Sequence, residues 1–229
     1  MSRIASRPAR RLHPLALRIM HWINAISILA LIFSGWKIYD DYPILSWLRF
    51  DDAYTLGGHP ETALQWHFLF MWPLAISGIA YILYGLISGR FWNKLLPLSI
   101  GEILKTVGDA LRFKLGHDDI THYNGVQKLL YLGAIALIVL QILTGLAIWK
   151  PVQFSEYAAL FGSFQTARIL HFTGMALICG FVVVHVALAL LVPKTLLAML
   201  TGGPRLEPAA TPVAASAPDA APDVPVSSN

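Results

Sequence analysis

The stretch RILHFTGMALICGFVVVHVALALLV, residues 168–192, decides the fold. From Ile169 to Val192 it contains no Asp, Glu, Lys or Arg. At a rise of about 1.5 Å per residue it is long enough for a helix to cross a hydrocarbon core of roughly 30 Å. His171 and His185 stand inside it. A histidine within a membrane span is costly to keep there and marks function by default. The two are 14 residues apart, which is about 21 Å and nearly four helical turns, so both lie on one face within roughly 40°.

Working outward, three more apolar stretches have spanning length: Leu15 to Tyr39, Leu64 to Ser88 and Leu129 to Trp149. Of the 229 residues 56% are hydrophobic and 13% charged, against the roughly 25% charge of an ordinary soluble domain. The expected fold is therefore an all-α membrane protein, a four-transmembrane-helix bundle over residues 15–200. A basic arm, 1–14, precedes it, and a Pro/Ala-rich tail, 203–229, without periodicity is expected to be disordered. The first span is too long for a signal peptide and lacks a small-x-small site after it, so it reads as an uncleaved anchor. Pro73 is expected to kink the second span.

Charge placement sets the topology. Arg3, Arg7, Arg10, Arg11 and Arg18 precede or open the first span, and Arg90, Lys94, Lys105, Arg112 and Lys114 crowd the loop between the second and third. The loop between the first and second holds Asp40, Asp41, Asp51, Asp52 and Glu61 against Arg49 alone. The Lys/Arg bias places both termini in the cytoplasm and the protein in a bacterial inner membrane, multi-pass, with the other two loops periplasmic. The same distribution gives no basic stripe with interleaved aromatics, so nucleic acid is not an expected partner and membrane lipid is. In the long inner loop Ile100, Ile103, Leu104, Val107 and Leu111 recur at helical spacing and predict an amphipathic surface helix. Ile44 to Leu48 is expected to lie along the outer surface in a similar way.

A single cysteine, Cys179, rules out an internal disulfide and a cysteine-held iron–sulfur cluster, and the absence of C-x-x-C-H rules out covalent haem attachment. Cys179 itself reads as a small packing residue. The redox candidates are histidines. His21 opens the first span and His67 the second. Because alternate spans run in opposite directions, His21 lies level with His185 on the cytoplasmic side, and His67 level with His171 on the periplasmic side. Facing imidazoles across a bundle are suitable axial ligands for haem iron, so the expectation is two haem b groups, held by His21/His185 and His67/His171. Glycine makes room for a porphyrin: Gly35 falls on the His21 face at the depth of the outer pair, Gly78 and Gly85 on the His67 face, and Gly174 and Gly180 between the two histidines of the fourth span. Each also suits ordinary small-residue helix packing. Arg18 and Arg168 each precede a span histidine by three residues, where a guanidinium can pair with a haem propionate or simply reach the membrane surface. His13, His59, His117 and His122 read as solvated loop residues.

Arg18-x-x-His21-Trp22, His67-Phe68 and Arg168-x-x-His171 with His185 fourteen residues on resemble the bacterial cytochrome b561 superfamily over roughly residues 12 to 200. That group includes cytochrome b subunits of nickel-iron hydrogenase, formate dehydrogenase and thiosulfate reductase, and His67-Phe68-Leu69-Phe70-Met71-Trp72 looks most like the thiosulfate-reductase type. The resemblance implies the same bis-histidine pairs and a quinone site beside the cytoplasmic haem. Tyr123-Asn124-Gly125-Val126-Gln127-Lys128 matches the family's stretch there, which makes Asn124 and Gln127 its candidate residues, although His122 before the tyrosine departs from the pattern. Read from the residues alone, the stretch is a polar helix start at the interface.

The expected function is that of a di-haem electron-transfer subunit, linking the quinone pool to a periplasmic redox partner, with a molybdenum-containing oxidoreductase as the partner type that the resemblance suggests. The alternative is a stand-alone membrane oxidase or reductase acting on a small diffusible substrate such as superoxide, against which the acidic outer loop argues. A proton-relaying transporter or assembly protein is disfavoured, since the spans hold no paired carboxylates.

Overall fold

A computed structural model describes residues 10–11, 13–89, 91–92, 99–111, 125–203 and 205–206. Four helices are long and apolar enough to cross a membrane: α1 (Leu15–Asp41), α2 (Pro60–Ile87), α4 (Gly125–Trp149) and α6 (Phe164–Leu191). At 25 to 28 residues each is about 38–42 Å long, so its ends reach beyond the roughly 30 Å hydrocarbon layer. The chain is a multi-pass, all-α membrane protein, apart from a two-residue antiparallel pair, Arg10–Arg11 with Arg205–Leu206. That pair draws on the start of the stretch expected to be disordered; 207–229 lie outside the described residues.

Helix starts follow local chemistry. Pro60 begins α2 with its φ already helical and no N–H to satisfy. Ser163 caps α6 by accepting the Thr166 N–H at 3.0 Å. Shorter helices are α3 (Ile100–Leu111), α5 (Ser155–Ala159) and α7 (Pro193–Thr201). α3 is the amphipathic helix expected between the second and third spans, and it packs on α4. Ile44–Leu48 is not helical. It forms a turn closed by the Leu48 N–H on the Leu45 carbonyl at 3.1 Å, directly after Pro43, whose ring disfavours a helical residue before it.

The helices pack as two antiparallel hairpins, α1 along α2 and α4 along α6. Small side chains let the backbones approach: Ser27, Ser34 and Ala63 are fully buried in the first hairpin, and Thr144, Ala147 and Ala167 in the second. Large apolar side chains such as Ile26, Leu69, Ile76, Ile79 and Val183 point outward, as lipid-facing residues do when the solvent is hydrocarbon. Between the hairpins several contacts are between aromatic rings. Tyr39 stacks on Phe172 at 4.8 Å and Phe68 meets Trp149 at 5.2 Å.

The start of α1 and the end of α7 lie together at one end of the bundle, called here the terminal end. The His13 N–H donates to the Gly202 carbonyl at 3.0 Å, and Arg18 donates to the Met199 carbonyl at 3.2 Å and to that of Leu200, so the last turn of α7 is tied to the first turn of α1. At the far end an aromatic series, Trp36 on Phe50 (4.6 Å), Phe50 on Tyr39 (5.6 Å) and Tyr39 on Phe172, joins α1, its following loop and α6. The buried Tyr39 hydroxyl donates to the Leu45 carbonyl at 3.2 Å and accepts the Leu45 N–H at 3.0 Å. Tyr39→Phe leaves both Leu45 groups without their partner at a cost of about 1–3 kcal/mol. The expected result is a fall of several degrees in the thermal unfolding midpoint in detergent; a midpoint equal to wild type would show that the loop does not depend on this hydroxyl.

Candidate functional site: two facing histidine pairs

The four span histidines meet in two pairs across the gap between the hairpins. His21, in the second turn of α1, faces His185 near the end of α6, with ring centroids 6.1 Å apart and planes at 58°. His67, on α2, faces His171 on α6 at 6.4 Å and 59°. The first pair lies at the terminal end and the second at the far end, about 21 Å apart along the uninterrupted α6. The spacing has a chemical meaning. Two metal–imidazole bonds of roughly 2 Å, each followed by roughly 1 Å from nitrogen to ring centre, put the centroids of two in-line ligands about 6 Å apart. Each pair can therefore hold one metal atom between its rings. Among the described residues no group of three or more His, Cys, Asp or Glu is gathered to chelate a bare ion, so the remaining equatorial positions would have to come from a planar ligand.

The far pair has matched surroundings on both sides. Ser34 Oγ lies 3.0 Å from His67 Nδ1, and Thr144 Oγ1 lies 2.9 Å from His171 Nδ1. Each hydroxyl is followed in sequence by a glycine that touches the same ring. A Cβ on Gly35 would stand 3.5 Å from His67 Cε1, and one on Gly145 would stand 3.3 Å from His171 Cε1. Ser34 and Thr144 are both wholly buried. Of these four only Gly35 follows from the positions of the histidines. Thr144 and Gly145 sit on α4, which carries no histidine to give it a register. A hydroxyl–glycine dipeptide occurs once in each span, at Ser34-Gly35, Ser77-Gly78, Thr144-Gly145 and Thr173-Gly174, so the sequence alone does not say which of them meets a histidine.

The terminal pair is more open. His185 is exposed on the bundle wall, its ring stacked with Phe181 at 5.5 Å, while Trp22 meets His21 edge-on at 5.4 Å. A groove of about 510 Å³ runs between α1 and α2, lined by Met20, Ile23, Leu69, Trp72, Pro73 and Ile76 among others but by neither His21 nor His185. One turn deeper than His21, the buried Asn24 Oδ1 has no hydrogen-bond partner among the described residues, and neither does Gln141 Oε1 on α4.

The other candidate residues are placed as follows. Arg168 donates to the Tyr42 carbonyl and to Gln165 Oε1 and lies over the Tyr42 ring at 5.0 Å, so it holds the outer loop against α6. Arg18 is held by the α7 carbonyls. Gly85 faces the Phe91 ring and Gly174 the Gln141 amide, whereas Gly78 and Gly180 have open space before them. Gly35 is thus the one glycine of that set that abuts a histidine. Cys179 Sγ lies 3.5 Å from Met175 Sδ, a packing contact. Gln127 is in the first turn of α4; Asn124, His117 and His122 lie outside the described residues.

A family model described as prokaryotic cytochrome b561 matches residues 12–202. The chain is 45% identical over 191 residues, 83% of its length and 96% of the relative's, to a protein of Azospira oryzae named as a protein-methionine-sulfoxide reductase subunit, YedZ1. It is 28% identical over 194 residues, 81% of each chain, to the cytochrome b556(fdo) subunit of Escherichia coli formate dehydrogenase. It is 23% identical over 205 residues, 80% of this chain and 79% of the relative, to a Bradyrhizobium diazoefficiens protein named as a nickel–iron hydrogenase B-type cytochrome subunit.

Proposed function

This chain belongs to the prokaryotic cytochrome b561 family, and from that premise we propose that it carries electrons across a bacterial inner membrane through two b-type haems, from the quinone pool to a periplasmic reductase. The observation that carries the reading is the pair of facing imidazoles at each end of the span, at 6.1 and 6.4 Å. Both separations suit axial ligation of one iron, and the gap between the hairpins is where a planar macrocycle would lie. When bound, haem supplies one-electron chemistry between ferric and ferrous iron.

The chain's own residues do the rest. His21 with His185, and His67 with His171, would hold the two haems, one per pair, at sites about 21 Å apart, most of the way across the hydrocarbon layer. The far-end aromatic series and the buried Ser34 and Thr144 keep water from the His67/His171 site. The exposed edge of the His21/His185 site, with the apolar groove beside Met20, suits a lipid-soluble quinone arriving through the membrane. Gln127, in the first turn of α4 at that same end, and Asn124 are the proposed quinone-binding residues. With the termini cytoplasmic, the far end is periplasmic. Its loops expose Tyr42, Trp47 and Tyr54, the type of aromatic side chain that anchors protein interfaces. The Azospira relative's name makes a protein-methionine-sulfoxide reductase, of the molybdenum-containing type, the proposed partner. Sulfoxide reduction consumes electrons, so flow runs outward from quinol.

The test uses the purified full chain. It should contain two haems per chain, become reduced on addition of a menaquinol analogue, and be reoxidised when a periplasmic protein-methionine-sulfoxide reductase and methionine sulfoxide are both present. Failure to bind haem under ample supply would end the reading. Reduction by quinol without reoxidation would remove the proposed partner and leave the quinone-linked cytochrome.

A further inference from the structure

Ser34 and Thr144 are joined to the far histidines by more than proximity. Ser34 Oγ also lies 2.7 Å from the Ala30 carbonyl, and Thr144 Oγ1 lies 2.7 Å from the Leu140 carbonyl, each four residues back on its own helix. A carbonyl only accepts, and a hydroxyl has one proton to give. The hydroxyl proton is therefore committed to the backbone, and toward the imidazole the oxygen can act only as an acceptor. A hydrogen bond at 3.0 or 2.9 Å then requires the proton on Nδ1 of each ring. That leaves the Nε2 lone pair as the ligating position on both histidines. The Leu31 and Gln141 carbonyls, three residues before each hydroxyl, lie 3.3 and 3.4 Å from the same two oxygens and are further acceptors for the hydroxyl proton. The same four-part arrangement, carbonyl, carbonyl, hydroxyl and glycine, thus occurs on α1 against His67 and on α4 against His171. Among the described residues no hydroxyl makes a hydrogen bond to His21 or His185.

We propose that Ser34 and Thr144 are positioning residues that select the Nε2-ligating tautomer of His67 and His171, fix the two ring planes and lower the midpoint potential of the far haem by accepting from Nδ1–H. An acceptor on the distal N–H makes an imidazole a stronger donor to its metal, and a stronger donor stabilises the ferric state. The proposal rests on the di-haem reading above. The adjacent glycines bring each ring close to the helix backbone: a Cβ at 145 would crowd His171 Cε1 at 3.3 Å, whereas one at 35 would be in ordinary contact with His67 Cε1 at 3.5 Å.

The experiment is a potentiometric titration with ferric electron paramagnetic resonance spectra on the haem-loaded full chain, for wild type, Ser34→Ala, Thr144→Val and Ser34→Thr. The far haem is identified as the component missing from His67→Ala. Ser34→Ala and Thr144→Val are each expected to shift that haem's equilibrium several-fold toward the ferrous form, an upward move in midpoint at about 59 mV per tenfold for one electron, and to change its low-spin g values. The terminal-end haem is expected to keep its potential, and Ser34→Thr, which retains the hydroxyl, to stay near wild type. A loaded far haem with unchanged potential and g values in both hydroxyl-free variants would overturn the proposal and leave the di-haem reading standing. Absence of haem from the wild type would overturn both. If Ser34→Ala alone does not assemble, Thr144→Val still decides the matter, because it is compared with the wild-type threonine at the same position and differs from it only in the hydroxyl.

Discussion

His67→Ala and His185→Ala are each expected to remove one haem and to spare the other. The two ligands of each pair come from different hairpins, so deleting one leaves an iron held from a single side. Loss of an outer-shell partner alone typically costs 10–100-fold in metal affinity, and loss of a ligand costs more. The effect should stay local: the pairs are separated by about 21 Å of unbroken helix and share only α6. Haem per chain should halve in each variant. The reduced-minus-oxidised difference spectra lost in the two variants should differ in band position and sum to the wild-type spectrum. Transfer from quinol to an external acceptor on the far side should cease in both, because the electron would have to cross the full span with one centre gone. If both variants lose the same spectral component, the pairing is wrong; if either keeps a full complement, the histidine in question is not a ligand.

Gly145→Val is expected to cost nearly as much, by sterics alone. A Cβ at 145 would stand 3.3 Å from His171 Cε1, already tighter than ordinary contact, and the two valine methyls would extend further into the ring. Overpacking of this kind typically costs about 1–3 kcal/mol. Here the strain falls on the one side chain whose position must be right to a fraction of an ångström. The far haem should be lost or greatly reduced, while the terminal-end haem and the yield of folded protein are retained. Gly145→Ala, which asks the ring to move only a few tenths of an ångström, should be intermediate. Full far-haem content in the valine variant would show that His171 does not occupy its present position when the cofactor is bound.

The parts of this molecule that follow from long-range regularities were legible in the sequence. Four uninterrupted apolar runs give four spans because hydrocarbon demands that every backbone group be satisfied within the helix, and a separation of fourteen residues brings His171 and His185 to one face by helical geometry alone. α3 was legible because its apolar residues repeat with the helical period. Residues Ile44–Leu48 were not: Pro43 suits the start of a helix as Pro60 and Pro193 do, but only five residues follow before the chain must turn back, and they close a single turn instead. α7 was hidden by Pro193, which reads equally as the end of the fourth span and as the first residue of a new helix. At the site, Gly35 could be reached from a histidine on its own helix. Ser34, Thr144 and Gly145 became visible only once the helices were paired, since which face of α4 meets α6 is decided by packing between small residues that leave little periodic trace.

The division into two hairpins also bears on the order in which the protein is made. α1 and α2 are consecutive spans and pack on each other, as are α4 and α6, so each hairpin can close as soon as its second helix leaves the ribosome and enters the bilayer. Neither histidine pair is complete at that stage: the first hairpin contributes His21 and His67, and both of their partners lie on α6, the last span to be synthesised. Cofactor capture must therefore follow synthesis of α6, and it joins two preformed halves that are otherwise linked by a few rings and by the polar ties at either end.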